Sequence, residues 1–97
     1  VSGGENIHPL TVESCLAACP GVADVAVSAR PDDTWGDLLV ALVVGVASAE
    51  GIAAWSRQHL PAAARPRRII HVASLPRNAM GKLDRRALRP LAAGAQP

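Results

Sequence analysis

Residues Leu38 to Ala47 form an apolar run of ten, and a run of that kind admits few folds. It is about half the ~20 residues that a membrane-spanning helix requires. Its Val-rich, β-branched content and its limits, Gly36 before it and Ala47-Ser48 after it, mark a strand rather than a helix. Such a strand has no polar face, so it must be covered on both sides. The remainder of the chain therefore has to supply a layer above it and a layer below.

The flanking sequence supplies the layers. Val22 to Arg30 alternates, with Ala23, Val25, Val27 and Ala29 on one side, and ends at the turn-rich Pro31-Asp32-Asp33. It reads as a strand pairing antiparallel with the apolar run. Upstream, Pro9 opens a helix over about Leu10 to Cys19, on which Val12, Cys15, Leu16 and Cys19 follow the i, i+3, i+4, i+7 rule until Pro20-Gly21 stops it. Downstream, about Ala49 to Leu60 forms a second helix, with Ile52, Trp55, His59 and Leu60 on one side and Arg57 and Gln58 off it. After Pro61 and a spacer through Pro66, Arg67 to Ala73 is again strand-like and is expected in the same sheet. Leu75 to Gly81 holds Pro76, Asn78 and Gly81 and reads as an ordered loop. Asp84 is placed to cap a last helix ending near Leu91, with a fraying tail behind it. The expectation is an α+β domain: a small, mainly antiparallel sheet covered by about three helices. Its 97 residues suffice for one such core and not for two.

Composition removes several functional classes. With 49% hydrophobic and 19% charged residues the chain lies far from disordered composition. It has no Phe, no Tyr and two Trp, so it lacks the aromatic platforms on which single-stranded nucleic acid stacks. No nucleic-acid module and no phosphate-binding loop of the G-x-x-x-x-G-K type is present. Cys15 and Cys19 lie four apart on one helical face, and His8, His59 and His71 have no ligand-like spacing, so packing roles are expected and no metal site. The absence of a leader or an apolar span predicts a cytoplasmic location without a membrane span. The chain starts at Val1 and enters Ser2-Gly3-Gly4 at once, which reads as a piece of a longer polypeptide.

Charge is divided along the chain. Up to Ser56, Arg30 stands alone against seven acidic residues, a net −6. From Arg57 onward nine basic residues face only Asp84, a net +8, and the two parts recover the overall +2. A basic C-terminal portion suits an anionic partner such as a phosphate-bearing ligand, and it equally suits a solvated face. Nine of the ten basic residues are Arg, and the single lysine, Lys82, lies in a Gly-flanked loop just before a helix. An ammonium is a compact, mobile point charge that fits a crowded site holding a carboxylate and a phosphate, where the broad guanidinium fork does not. Two weaker features accompany it. Ser2-Gly3-Gly4-Glu5-Asn6-Ile7-His8-Pro9 combines close-approach glycines with a helix start, and Trp35 sits in the polar turn Asp32 to Asp37.

Three segments together resemble the C-terminal domain of the adenylate-forming acyl- and aryl-CoA synthetase superfamily. They are Ser2 to Pro9 with Glu13, Pro31-Asp32 to Trp35-Gly36, and Leu75-Pro76-Arg77-Asn78-Ala79-Met80-Gly81-Lys82. Their order and spacing cover about Val1 to Leu91, and the wording of the first is most similar to benzoate-type CoA ligases. The resemblance implies a mobile C-terminal lid domain over residues 1–91 with a flexible tail over 92–97. The large N-terminal domain that binds ATP and the acid is absent from this chain, so the isolated fragment is expected to be inactive. It further implies an acid–thiol ligase in which a carboxylic acid and ATP with Mg2+ give an acyl adenylate and pyrophosphate. A thiol, CoA, then yields the thioester and AMP.

Residue by residue, the resemblance makes Lys82 the catalytic lysine that bridges the substrate carboxylate and the phosphate during adenylation. It places Gly3, Gly4 and Glu5 along the pantetheine tunnel, and Trp35, Arg65 and Arg68 against CoA. It also makes Lys82 a target for a lysine acetyltransferase, whose product would lack the charge. Departures from the family pattern are Thr11 in place of Glu, Asp37 in place of Glu, Met80 in place of Ser or Thr, and Ala64 where a Lys is common before Arg65-Pro66. Two alternatives remain at this level: an adenylation domain that loads a carrier protein, and a non-catalytic anion-binding module of the same fold. The identity of the acid is set by the domain that this chain does not contain.

Overall fold

The apolar run does become the centre of the protein. In the computed structural model, which describes residues 9–32 and 36–94, α1 (Pro9–Ala17) leads into β1 (Val22–Asp32) and β2 (Gly36–Gly45). Then come α2 (Ala49–His59), a 3₁₀ turn at Ala62–Ala64, β3 (Arg68–His71) and α3 (Arg85–Gly94). The sheet order is β1-β2-β3. Val40, Ala41, Leu42 and Val43 of the middle strand are all fully buried, as a strand without a polar face requires.

Alternate residues of β2 feed two separate cores. On one face Ala41 and Val43 join Val25 and Val27 of β1, Val12, Leu16 and Cys19 at α1, and Ile52 of α2. On the other, Val40 and Leu42 join Ala26, Leu75, and Leu88 and Ala92 of α3. The helices thus sandwich the sheet, two against one. Ser48 caps α2 by accepting the Gly51 N–H at 3.0 Å, and Asp84 caps α3 by accepting the Ala87 N–H at 3.2 Å. α3 runs past the expected end at Leu91 to Gly94, because Ala92 is buried against the sheet.

Two details depart from the pattern read in the sequence. β1 and β2 pair antiparallel as expected, but β3 pairs parallel to β2, from Val40 opposite Arg68 to Val43 opposite His71. The sheet is therefore mixed, with the antiparallel ladder much the longer. The parallel register follows from the crossover: α2 carries the chain from the end of β2 back to the start of β3. The second detail is a register shift in β1 between Val22 and Asp24. It packs Val22 with Val25 and Val27 and leaves Ala23 exposed, so the period-two pattern fails at its first step. Gly45 belongs to this irregularity. Its φ is +135°, and a Cβ there would collide with the Gly21 carbonyl and lie 2.7 Å from the Ala23 amide nitrogen.

Glu13 is the one carboxylate buried in the framework among the described residues. β1 is an edge strand, and the Val27 N–H donates to Glu13 Oε2 at 2.7 Å. The Arg85 guanidinium grips the same carboxylate with both terminal nitrogens, Nη1 to Oε2 and Nη2 to Oε1. One side chain thereby ties α1 to the edge of the sheet and to the start of α3. The Glu13 hydrogen bond, reinforced by its charge, raises the Arg85 pKa above its already high ordinary value against the opposing effect of burial. Cys15 and Cys19 are free thiols. Burial, with Cys15 adding to it, pushes the Cys19 thiol up.

Candidate functional site

The loop that carries Lys82 is shaped mainly by one asparagine. The Asn78 N–H donates to the Lys82 carbonyl at 2.8 Å, and Asn78 Oδ1 accepts from the N–H groups of Met80 at 2.8 Å and Lys82 at 3.1 Å. The Gly81 N–H closes the turn on the Asn78 carbonyl at 2.9 Å. Asn side chains favour such turns because the amide oxygen competes well for nearby backbone donors. Gly81 completes the turn with φ +83°, and a Cβ there would meet nothing within 4 Å. Its glycine answers a backbone demand and not a lack of room.

Outside the turn, Arg77 and Leu83 form a bridge, and the Asp84 N–H donates to the Pro76 carbonyl at 3.0 Å. Leu75 and Leu83 root the two ends in the core shared with α3. Lys82 therefore has both of its backbone polar groups held, while its side chain is exposed and its ammonium has no hydrogen bond or ion pair among the described residues. A cation with a fixed root and a free head can reach an anionic group outside the domain. Met80, at 81% exposed, stands beside it. Arg77 joins this loop to β1: Nη1 donates to the Gly81 carbonyl at 2.9 Å, and Nη2 pairs with Asp24 Oδ2 at 2.6 Å.

The other candidates fall elsewhere. Gly3, Gly4, Glu5 and Trp35 lie outside the described residues. Arg65 is half-buried, with Nε donating to the Leu60 carbonyl at 2.9 Å and Nη2 to the Arg57 carbonyl at 3.3 Å. It thus satisfies carbonyls at the C-terminal end of α2, where a cation also meets the negative end of the helix dipole. Arg68 opens β3, opposite Val40, and is exposed. The Lys82 loop is fixed at the β1 edge of the sheet and shares a core with α3, whereas Arg65 and Arg68 stand at α2 and the β3 edge. The structure does not gather Lys82, Arg65 and Arg68 into one site.

Two of the three histidines have structural surroundings: the His59 ring lies 4.2 Å from that of Trp55, and His71 Nε2 donates to the Ala47 carbonyl at 2.7 Å, while His8 lies outside the described residues. A cavity of about 340 Å³ between α1 and α2, lined by Cys19, Ser48, Trp55 and Gln58 among others, has no charged side chain and none of the predicted site residues. No group of His, Cys, Asp and Glu side chains among the described residues is arranged to hold a metal ion. No helix there is long and apolar enough to cross a membrane.

The sequence marks Asn78 as a loop residue, but it gives Arg77 no role beyond membership of a motif and Asp24 none beyond its charge. The Asn78-to-Gly81 spacing did signal a turn. A pair separated by 53 positions, as Asp24 and Arg77 are, leaves no local signal at all.

These elements are those of a domain found at the end of adenylate-forming enzymes. The chain belongs to the family of the AMP-binding enzyme C-terminal domain, which matches residues 11–82, Lys82 included. It is 48% identical over 93 residues to a 4-chlorobenzoate–CoA ligase of Pseudomonas sp. (strain CBS-3), covering 91% of this chain and 18% of that enzyme. A fatty acyl CoA synthetase of Mycobacterium tuberculosis superposes with a TM-score of 0.88 at 34% identity, over 98% of this chain and 20% of that one. An o-succinylbenzoate CoA synthetase of Bacillus subtilis, solved with a product analogue, gives 0.82 at 39% identity, over 89% and 18%. The chain thus spans about a fifth of the length of the relatives it matches.

Proposed function

We propose that this domain is the C-terminal lid of an adenylate-forming acid–CoA ligase, with α3 through Gly94 belonging to the lid beyond the expected bound at residue 91. In the first step the carboxylate of the acid attacks the α-phosphate of ATP, forming the acyl adenylate and releasing pyrophosphate. In the second, the CoA thiol attacks the acyl carbon, forming the thioester and releasing AMP. Lys82 acts in the first step, where its ammonium bridges the attacking carboxylate and the phosphate. That is a positioning and electrostatic role that requires no proton transfer. Mg2+ would enter with the nucleotide, as the adenylation chemistry requires.

One observation carries this reading: within the stretch matched by a family that serves adenylate-forming enzymes lies a lysine whose backbone is pinned at both polar groups and whose ammonium has no partner among the described residues. The separation of Lys82 from Arg65 and Arg68 also suits a lid that turns one side to adenylation and another to the thiol. Arg68, exposed at the start of β3, is the better candidate of the two for CoA phosphates. Arg65 has committed two of its donors to α2.

The test is a screen of the full-length parent over aryl and fatty acids, reading acid-dependent ATP–pyrophosphate exchange and then thioester formation with free CoA. Exchange with at least one acid and thioester formation with CoA support the ligase. Exchange without acceptance of free CoA would move the reading to an enzyme that loads a carrier protein, and no exchange with any acid would contradict both.

A further inference from the structure

Beyond the apolar anchoring of its ends, the Lys82 loop has one hydrogen-bonded link to the sheet among the described residues, the Arg77 guanidinium. Arg77 Nη1 holds the carbonyl of Gly81, the residue immediately before Lys82, and Nη2 holds Asp24 Oδ2. Asp24 is itself oriented, since its Oδ1 accepts the Val25 N–H at 3.0 Å beside the register shift of β1. The connection therefore runs from the β1 backbone through Asp24 and Arg77 to the peptide that precedes Lys82. Asn78 closes the loop on itself and does not tie it to the rest of the domain.

The Arg77 and Asp24 side chains are 40% and 34% exposed. An ion pair with this exposure contributes little to stability. A two-pronged fork that spans a carboxylate and a carbonyl does fix geometry, which a lysine in its place could not do.

We propose that Arg77 and Asp24 are positioning residues for adenylation: they hold the loop so that the Lys82 ammonium arrives at the reacting carboxylate and phosphate in register, and they touch neither. This rests on the assignment of Lys82 made above. Misplacing a reacting group by about 1 Å can cost ~100-fold in rate. Here Asn78 still shapes the turn when Arg77 is lost, so the loop shifts as a unit and the expected loss is about tenfold.

The experiment uses the full-length parent enzyme with Arg77→Met, Arg77→Lys, Asp24→Asn and Lys82→Ala. It reads ATP–pyrophosphate exchange, thioester formation from supplied acyl adenylate, and thermal unfolding. Arg77→Met should lower the exchange kcat about tenfold, with KM for ATP and the thioester step within about twofold of wild type and Tm nearly unchanged. Asp24→Asn should cost less, about threefold in exchange, because Arg77 keeps the Gly81 carbonyl. Arg77→Lys should fall between wild type and Arg77→Met.

Unchanged exchange in both Arg77→Met and Asp24→Asn, while Lys82→Ala abolishes it, would overturn the positioning role and leave the lysine assignment intact. Intact exchange in Lys82→Ala would overturn both. Equal losses in the two half-reactions together with a lowered Tm would make the pair merely structural. Should Arg77→Met not fold, Asp24→Asn, which preserves side-chain size, decides the question by the same ratio of half-reactions.

Discussion

The two faces of the sheet are built on different principles. Against α1 and α2 the interior is largely aliphatic, with Val12, Leu16, Val27, Ala41, Val43 and Ile52 at 2% exposure or less. On the side of the Lys82 loop, a smaller aliphatic patch of Leu75, Leu83 and Leu88 serves as the root for a polar assembly. There, Asp24, Arg77 and Asn78 arrange one backbone segment through hydrogen bonds that remain open to solvent. The first face buries the larger of the two apolar cores, and burial contributes to stability in proportion to apolar area. On the second, Val40, Leu42 and Leu88 bury a core as well, while the polar assembly beside it adds little stability and fixes where one cation stands.

Substitutions should separate these two behaviours. Leu16→Ala, which empties a fully buried position between α1 and the sheet, should destabilise the chain by about 2–5 kcal/mol. Urea unfolding followed by circular dichroism measures this, and a loss below about 1 kcal/mol would mean that the α1 face is not the main store of stability. Glu13→Ala comes next. It strands the Val27 N–H and releases Arg85, for an expected loss of about 1–3 kcal/mol, with Arg85's partial exposure limiting the upper end.

Cys19 gives the smallest effect. Its pKa is raised above its ordinary value of 9.0 by burial, so the fold favours the protonated thiol. Stability should be intact below that ordinary value and decline as pH rises through the higher folded one. Alkylation at mildly alkaline pH should accordingly label Cys19 more slowly than the less buried Cys15. Equal labelling rates would contradict the burial of α1's C-terminal end.

The same division explains how much could be read from the sequence. The aliphatic face declares itself through periodicity: Val12, Leu16 and Cys19 at helical spacing, and a middle strand without polar residues, fixed the element order and the two-sided cover. The ordered loop before α3 and its Asp84 cap were equally legible, because Pro76, Asn78, Gly81 and Asp84 act locally. What the sequence leaves unread depends on partners distant in the chain. The parallel pairing of β3 is set by the α2 crossover, and the register shift at Val22 to Asp24 by the close approach of Gly45. The resemblance places Arg65 against CoA, and only the fold reveals that two of its donors serve α2 carbonyls. Glu13 reads as a polar residue on a helix until Arg85, 72 positions later, closes on it.

The central claim is that the polar side exists to present Lys82 to the adenylation step. It is tested most directly by the two half-reactions of the full-length parent with Lys82→Ala. The account predicts that ATP–pyrophosphate exchange falls by at least about 100-fold, the scale of losing a preorganised charge in a reacting site. Thioester formation from supplied acyl adenylate should stay close to wild type. Exchange that survives the substitution, or a loss shared equally by both half-reactions, would contradict it.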